Sequence, residues 1–175
     1  YEEALGYSVG PSVRDKDGMS AALVFADMAA HAKAAGKNVL DRLAALYTEC
    51  GVWTSAQLSV RFEGPSGLDQ IEPTLDTLAT SPPEALNGLH VSAVVDYRSG
   101  AGLRPRYLGE TPLIELSLGE NGRCLIRPSG TEPKLKIYVD LTEPAAPGNT
   151  ADLLVAEARL QERAGGVARA AGAAM

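Results

Sequence analysis

An alternation of apolar and polar residues near the end of the chain constrains the fold more than any other feature. Apolar residues occupy every second position from 135 to 141, and Lys136 and Tyr138 lie between them. Side chains point to opposite faces of a β-strand in turn, so this pattern predicts a strand with one buried and one solvated face. Antiparallel sheets accommodate such strands, because one of their faces is often left in water.

Shorter alternations upstream predict the other strands of the sheet, over residues 58–62, 91–97, 113–119 and 123–127. The dipeptide Asn121-Gly122 is typical of a two-residue hairpin, which would place Leu118 opposite Leu125. Helical spacing predicts a helix over 68–78 and another after Asn149, ending at residues 165–166 and followed by a frayed or disordered tail. The predicted class is α+β, a mostly antiparallel sheet flanked by helices.

The first 51 residues have a different pattern. An alanine-rich helix is predicted over 20–35, with His31 one turn from Asp27 as its surface partner. A second helix begins at Asn38, with Asp41 completing a capping box. These helices lack partner strands, so residues 1–51 are predicted to be the helical remnant of an α/β domain, and residues 52–175 to form a separate C-terminal domain.

Composition limits the classes of partner. The net charge of −6 argues against nucleic acid, which needs a basic footprint. No apolar run is long enough to span a bilayer. The predicted location is cytoplasmic. Cys50 and Cys124 are far apart, and in an intracellular chain they are expected to be buried free thiols and not a disulfide. The first residue is not Met, so we expect the chain to be a fragment.

The stretch from residue 126 to residue 136 carries the strongest chemical signal. Arg127 offers a planar fork of donors that suits a phosphate, and Ser129 and Thr131 add hydroxyl groups. Gly130 allows the backbone to adopt positive φ and to come close to a ligand, so that successive amides can form an anion-binding concavity. The pattern favours a phosphate cup, and a polar hairpin connection is the alternative. Three arginines of a nearby loop either extend such a site or are simply solvated: Arg98, Arg104 and Arg106.

Residues 127–133, which read Arg-Pro-Ser-Gly-Thr-Glu-Pro, together with 134–140 closely resemble the C-terminal phosphate-binding loop of the α-D-phosphohexomutases. Residues 1–7 and 13–18 resemble the sugar-recognition loop of that family and the segment after it. The resemblance implies a C-terminal fragment, with the end of the third domain at 1–51 and the TBP-like fourth domain at 52–175.

The same resemblance implies roles for individual residues. Glu2, with Glu3 beside it, would contact sugar hydroxyls, and Lys16 would lie near the transferring phosphoryl group as an acid/base or electrostatic catalyst. Arg127, Ser129, Gly130 and Thr131 would bind the non-reacting phosphate, and Lys136 matches a position that is often basic. Ala4 stands where many relatives have a sugar-contacting serine, so the preferred sugar stays open.

The reaction that the resemblance implies interconverts hexose 1-phosphate and hexose 6-phosphate through a phosphoserine and glucose 1,6-bisphosphate, with Mg²⁺ bound in another domain. The chain shows no serine segment of the Thr-x-Ser-His-Asn-Pro type and no Asp-Gly-Asp-x-Asp-Arg metal loop. We therefore expect the chain alone to be inactive, with a phosphorylated hexose and the remaining domains of the enzyme as its partners. Alternatives are a stand-alone phosphosugar-binding module and a purely structural domain.

Overall fold

The structure is a computed structural model that describes residues 6–64, 66–130, 132–145 and 149–175. Within these ranges there are four α-helices: α1 (Gly18–Ala34), α2 (Val39–Cys50), α3 (Ile71–Thr80) and α4 (Thr150–Ala173). The strands are β1 (Val52–Arg61), β2 (Ala85–Leu86), β3 (Leu89–His90), β4 (Ala93–Asp96), β5 (Ile114–Ser117), β6 (Gly122–Pro128) and β7 (Lys134–Glu143).

Five strands form one antiparallel sheet in the order β1-β7-β6-β5-β4, and β2 and β3 form a separate small hairpin. The alternation predicted for β7 is present, because Leu135, Ile137, Val139 and Leu141 are all buried. On this buried face α4 packs against β1 and β7, while α3 packs against β4 and β5. The α+β prediction, with a mostly antiparallel sheet flanked by helices, is confirmed.

The opposite face of the sheet is polar, and we call it the polar face. Its residues alternate with the buried ones and follow from the strand register: Trp53, Ser55, Gln57, Ser59 and Arg61 on β1, Lys134, Lys136, Tyr138 and Asp140 on β7, and Arg123, Leu125 and Arg127 on β6. A network joins β1, β7 and β6 there, since Asp140 accepts from Ser55 Oγ at 2.8 Å and from Arg123 Nε at 3.0 Å. One face of the sheet thus builds the core, and the other presents charged and hydrogen-bonding groups.

The predicted two-residue turn between β5 and β6 is wrong. Ser117 pairs with Arg123, and Leu125 lies opposite Glu115 rather than Leu118. A 3₁₀ turn at Gly119–Asn121 lengthens the connection, and the Leu118 amide donates to the Gly122 carbonyl at 2.9 Å. The longer turn directs Leu118 into the core, where it is 1% exposed.

The predicted end of the last helix at residues 165–166 is also wrong, as is the expectation of a frayed tail. Helix α4 runs without interruption to Ala173. Its last turns are buried against the sheet through Val167, Ala168 and Ala171, and the Cβ position of Gly172 lies 3.1 Å from Leu58 Cδ2. Packing against the sheet therefore outweighs the low helix propensity of two glycines.

The first two helices form as predicted. Asn38 and Asp41 form a reciprocal capping box at the start of α2, and the Asp27–His31 pair is present on α1 at 3.5 Å. Helix α2 packs on α4, where Thr150 Oγ1 donates to Asp41 Oδ1 at 3.0 Å. Helix α1 is mostly exposed, and Ala32 is its buried residue. None of the described helices combines the length and the apolar character that crossing a membrane requires.

Both cysteines are free, but only Cys124 is buried, which corrects the expectation that both would be. Burial raises the pKa of the Cys124 thiol to about 12, so it stays protonated near pH 8. We expect an aromatic disulfide reagent to titrate one thiol in the native chain and two in denaturant. Cys50→Ser should abolish the native reaction, and a fast native reaction that survives this change would contradict the burial of Cys124.

Candidate functional site

The loop that the sequence singles out connects β6 to β7 and is fixed by backbone hydrogen bonds. The Ser129 amide donates to the Lys134 carbonyl at 2.9 Å, and the Lys134 amide donates to the Glu132 carbonyl at 2.8 Å. The Phe62 amide, just after β1, donates to the Pro133 carbonyl at 2.9 Å. Three strands therefore position this loop, and its amides and side chains lie at one end of the sheet.

Arg127 and Lys136 lie directly opposite each other on β6 and β7. The Arg127 guanidinium stands 5.7 Å from the centre of the Tyr138 ring, and its Nη2 donates to the Tyr138 hydroxyl at 3.4 Å. The described residues give the guanidinium no other hydrogen bond, so most of its five N–H donors face solvent. The arrangement is a cation held in place by a tyrosine and still able to bind an anion.

Two further cations lie beside this pair. Arg61 is opposite Lys134 across β1 and β7, and the two rows, Arg61–Lys134 and Arg127–Lys136, are adjacent on the polar face. Glu132 bridges the first row, with Oε1 3.0 Å from Arg61 Nη2 and Oε2 2.5 Å from Lys134 Nζ. We use the name cationic corner for the two rows together with Glu132: Arg61, Lys134, Arg127, Lys136 and Glu132. Four cations and one carboxylate give it a positive balance in a chain whose net charge is −6.

The positive charge of the cationic corner affects the pKa of Glu132. A hydrogen bond from Lys134 lowers the pKa of its carboxyl, and Arg61 lowers it further. The carboxylate is therefore ionised near neutral pH and acts as the internal counter-ion of the first row.

Gly130 does not use the positive φ that glycine allows. Its φ lies outside the left-handed region, and a Cβ built on it would meet no heavy atom of the described chain within 4 Å. The backbone hydrogen bonds of Ser129 and Lys134 form in this connection without a positive φ at Gly130. Among the described residues, no atom beyond its chain neighbours fills the space that a side chain at Gly130 would take. Thr131 lies outside the described residues.

Lys16 is positioned by its sequence neighbours. Its amide donates to Asp15 Oδ1 at 2.6 Å and its Nζ lies 3.1 Å from the same oxygen, which lowers the pKa of the Asp15 carboxyl. Asp17 caps α1 by accepting from the Met19 amide. Glu2 and Glu3 lie outside the described residues. Of the predicted site residues, the structure thus brings together Arg127, Ser129, Gly130 and Lys136, and it places Lys16 beside Asp15.

Two of the three loop arginines hold the fold together instead of extending the site. Arg98 forms ion pairs with three carboxylates, those of Glu72, Asp76 and Asp96, and its side chain is 18% exposed. Its hydrogen bond lowers the pKa of Asp96. Arg104 donates to the Ser99 carbonyl at 2.8 Å and stacks on Tyr97 at 4.8 Å. Arg106 is exposed.

Sequence reasoning missed Tyr138 as the partner of Arg127, and it missed Arg61, Glu132 and Lys134 as members of the cationic corner. The positions of Lys134 and Tyr138 share the parity of Lys136 in β7, so the alternation already placed them on the polar face. Arg61 gave no local signal, because its position depends on the register between β1 and β7. Among the described residues, no group of three His, Cys, Asp or Glu side chains is arranged to hold a metal ion.

Comparison with known proteins agrees with the geometry. Residues 103–157 match the family described as "Phosphoglucomutase/phosphomannomutase, C-terminal domain". A "Probable phosphomannomutase" of Haemophilus influenzae is 38% identical over 141 residues, which cover 80% of this chain and 27% of that protein. A "Phosphoglucomutase" of Staphylococcus haemolyticus is 34% identical over 150 residues, covering 81% of this chain and 27% of that protein. The chain thus spans about a quarter of the length of these relatives.

A solved structure supports the fold. The open form of the phosphoglucomutase pp63/parafusin from Paramecium aligns with a TM-score of 0.50 and 18% identity, over 92% of this chain and 29% of that chain. At this level of identity the likeness concerns the fold alone.

Proposed function

We propose a phosphate-binding function, within a larger phosphohexomutase, for this chain, which belongs to the phosphoglucomutase/phosphomannomutase family. The observation that carries the proposal is the Arg127–Lys136 pair, set beside a loop whose open side faces solvent. The intact enzyme would interconvert hexose 1-phosphate and hexose 6-phosphate through a phosphoserine and glucose 1,6-bisphosphate. This chain would hold the phosphate that is not reacting.

The chemistry of the Arg127–Lys136 pair fits that task. A planar guanidinium binds two phosphate oxygens at once, and Lys136 adds a point charge beside it. The Ser129 hydroxyl and the Gly130 amide are proposed to complete the binding, and Thr131 is proposed as a further donor. Because the phosphate stays fixed while C1 and C6 exchange places, the site must recognise phosphate without depending on one sugar orientation.

The remaining roles concern the rest of the enzyme. Residues 1–51 are proposed as the end of the third domain and 52–175 as the fourth, with Glu2 and Glu3 contacting sugar hydroxyls and Lys16 near the transferring phosphoryl group. Mg²⁺ is proposed to bind in another domain of the enzyme, as the resemblance to the family implies. The chain alone is proposed to be inactive and the enzyme to be cytoplasmic.

A second candidate function is a phosphosugar-binding module without catalysis. One observation favours it: β1, β6 and β7, which position the described part of the loop, all belong to this chain. If the cup is preformed, glucose 1,6-bisphosphate should give saturable shifts of the Ser129 and Gly130 amides in an NMR titration of this chain. Loss of these shifts in Arg127→Ala would assign them to the cup.

In the complete enzyme, Arg127→Ala should raise KM at least about tenfold, which corresponds to about 1.4 kcal/mol of lost binding. The reason is the loss of charge-assisted hydrogen bonds to phosphate, each of which contributes about 1.5–3 kcal/mol. Steady-state kinetics measure the effect. Arg42→Ala on the exposed side of α2 is the matched control and should leave KM unchanged. Unchanged KM and kcat in Arg127→Ala would remove the cup from the mechanism.

A further inference from the structure

The row formed by Arg61 and Lys134 has no place in the function proposed so far. These cations come from β1 and β7, and both face the loop. Glu132 bridges them by giving one carboxylate oxygen to each, at 3.0 Å to Arg61 and 2.5 Å to Lys134. Two oxygens of one anion are therefore already shared between two cations, as the oxygens of a phosphate would be.

We propose that Arg61 and Lys134 form a second anion subsite, which the Glu132 carboxylate occupies in the ligand-free chain and leaves when a phosphorylated ligand binds. The proposal rests on the phosphate-binding function of the loop and extends it by one row along the polar face. Glu132 would then be an internal competitor for phosphate. Its displacement would release two cations next to Arg127 and Lys136.

The positions of Arg61, Lys134 and Glu132 favour a mechanism in which a phosphate replaces the Glu132 carboxylate while the two cations stay in place. Lys134 lies within β7 and its side chain is 19% exposed, while Glu132 belongs to the loop and is 40% exposed. Arg61 ends β1 and is 62% exposed, so its guanidinium is accessible to an incoming anion. An exposed ion pair contributes little net stability, because it is screened and restrains long side chains.

A phosphate dianion is the stronger partner for these cations. It carries more negative charge than a carboxylate and offers additional acceptor oxygens. It can also contact both rows at once, whereas the bridge made by Glu132 involves Arg61 and Lys134. In the free chain the carboxylate keeps the cations of the first row from repelling each other, since like charges on adjacent strands destabilise a sheet.

The test is a titration of this chain with inorganic phosphate at low ionic strength, following backbone amides of the loop by NMR. Glu132→Gln keeps the shape of the side chain and removes the competing charge, so phosphate affinity should rise about threefold or more. Arg61→Gln in the Glu132→Gln background should reverse that gain. Amide spectra and thermal unfolding verify that each variant is folded.

Glu143→Gln is the matched control. Glu143 lies at the other end of β7 and pairs with Arg159 at 2.6 Å, so the substitution removes the same charge from a similar ion pair. It should leave the phosphate affinity at the wild-type value. An equal gain in Glu143→Gln would show that net charge alone is responsible and would overturn the subsite.

The outcomes separate this inference from the proposed function. If Arg127→Ala weakens phosphate binding while Glu132→Gln leaves it unchanged, the cup stands and the second subsite is refuted. If Glu132→Gln gains affinity through Arg61 but Arg127→Ala has no effect, the subsite stands and the role of Arg127 is refuted. Absence of phosphate binding in every variant would refute both.

Discussion

Gly122→Ala is expected to destabilise the chain by about 4 kcal/mol, the range of severe backbone and packing defects. Gly122 begins β6 with φ of +133° and ψ of −147°, a region that is essentially restricted to glycine. A Cβ would collide with the Asp140 carbonyl oxygen, and it would lie 2.9 Å from the Asp140 carbonyl carbon and 3.0 Å from Leu141 Cα. All three are backbone atoms of β7, an interior strand paired on both sides, so they cannot move aside without breaking the sheet.

Urea unfolding of three glycine variants separates the cost of backbone strain from the cost of the collision with β7. Gly88 has φ of +78° and open space around it, so Gly88→Ala should cost only about 1 kcal/mol, from backbone strain. Gly130 has neither a positive φ nor a close neighbour among the described atoms, so Gly130→Ala should leave the free energy of unfolding nearly unchanged. If Gly122→Ala were no less stable than Gly88→Ala, the close approach to β7 would be contradicted.

Gly122 also shows why the turn between β5 and β6 was predicted but its length was not. Asn121-Gly122 does mark a turn, because both residues tolerate the backbone conformations that turns need. Local chemistry did not specify the length of the connection, which depends on burying Leu118 in the core. A turn was therefore predictable from two residues, whereas the register of β5 and β6 required the packed sheet.

Strand prediction succeeded where burial follows apolarity and failed where it does not. In β7 each buried position carries a large aliphatic residue, and the prediction is confirmed. In β1 the buried side of the first half includes Thr54, whose hydroxyl binds Gln161 of α4. A threonine satisfied by a residue 107 positions away gives no apolar alternation, so the strand was predicted to begin at residue 58 instead of Val52.

The residues of the candidate site show the same contrast between signals that are local in the sequence and contacts that depend on the folded sheet. Arg127 and Ser129 were predicted because the loop chemistry is contiguous in sequence, and Lys136 because it matches a position that is often basic in the family that the chain resembles. The Arg61–Glu132 contact joins residues 71 positions apart and depends on the β1–β7 register. Arg98 could not be told from a solvated arginine, since its three carboxylate partners come from α3 and β4.

The tail of α4 is the part that sequence reasoning misjudged most. Buried residues recur along one stripe on both sides of the glycine pair, including Leu160, Ala164, Val167 and Ala171. Their spacing of three or four residues is helical, but small side chains make the stripe hard to recognise. Small residues also let the helix approach the sheet, where the Cβ position of Gly172 lies 3.2 Å from Val60 Cγ2.

Removal of residues 165–175 should therefore cost at least about 4 kcal/mol or prevent folding, because it uncovers the sheet over β1 and β7. A matched pair of point variants tests the packing without truncation. Val167→Ala, at a site that is 0% exposed, should cost about 2 kcal/mol. Val155→Ala, 70% exposed on the same helix, should be neutral or slightly stabilising. Urea unfolding measures both, and equal stabilities of the two variants would mean that the tail does not pack on the sheet.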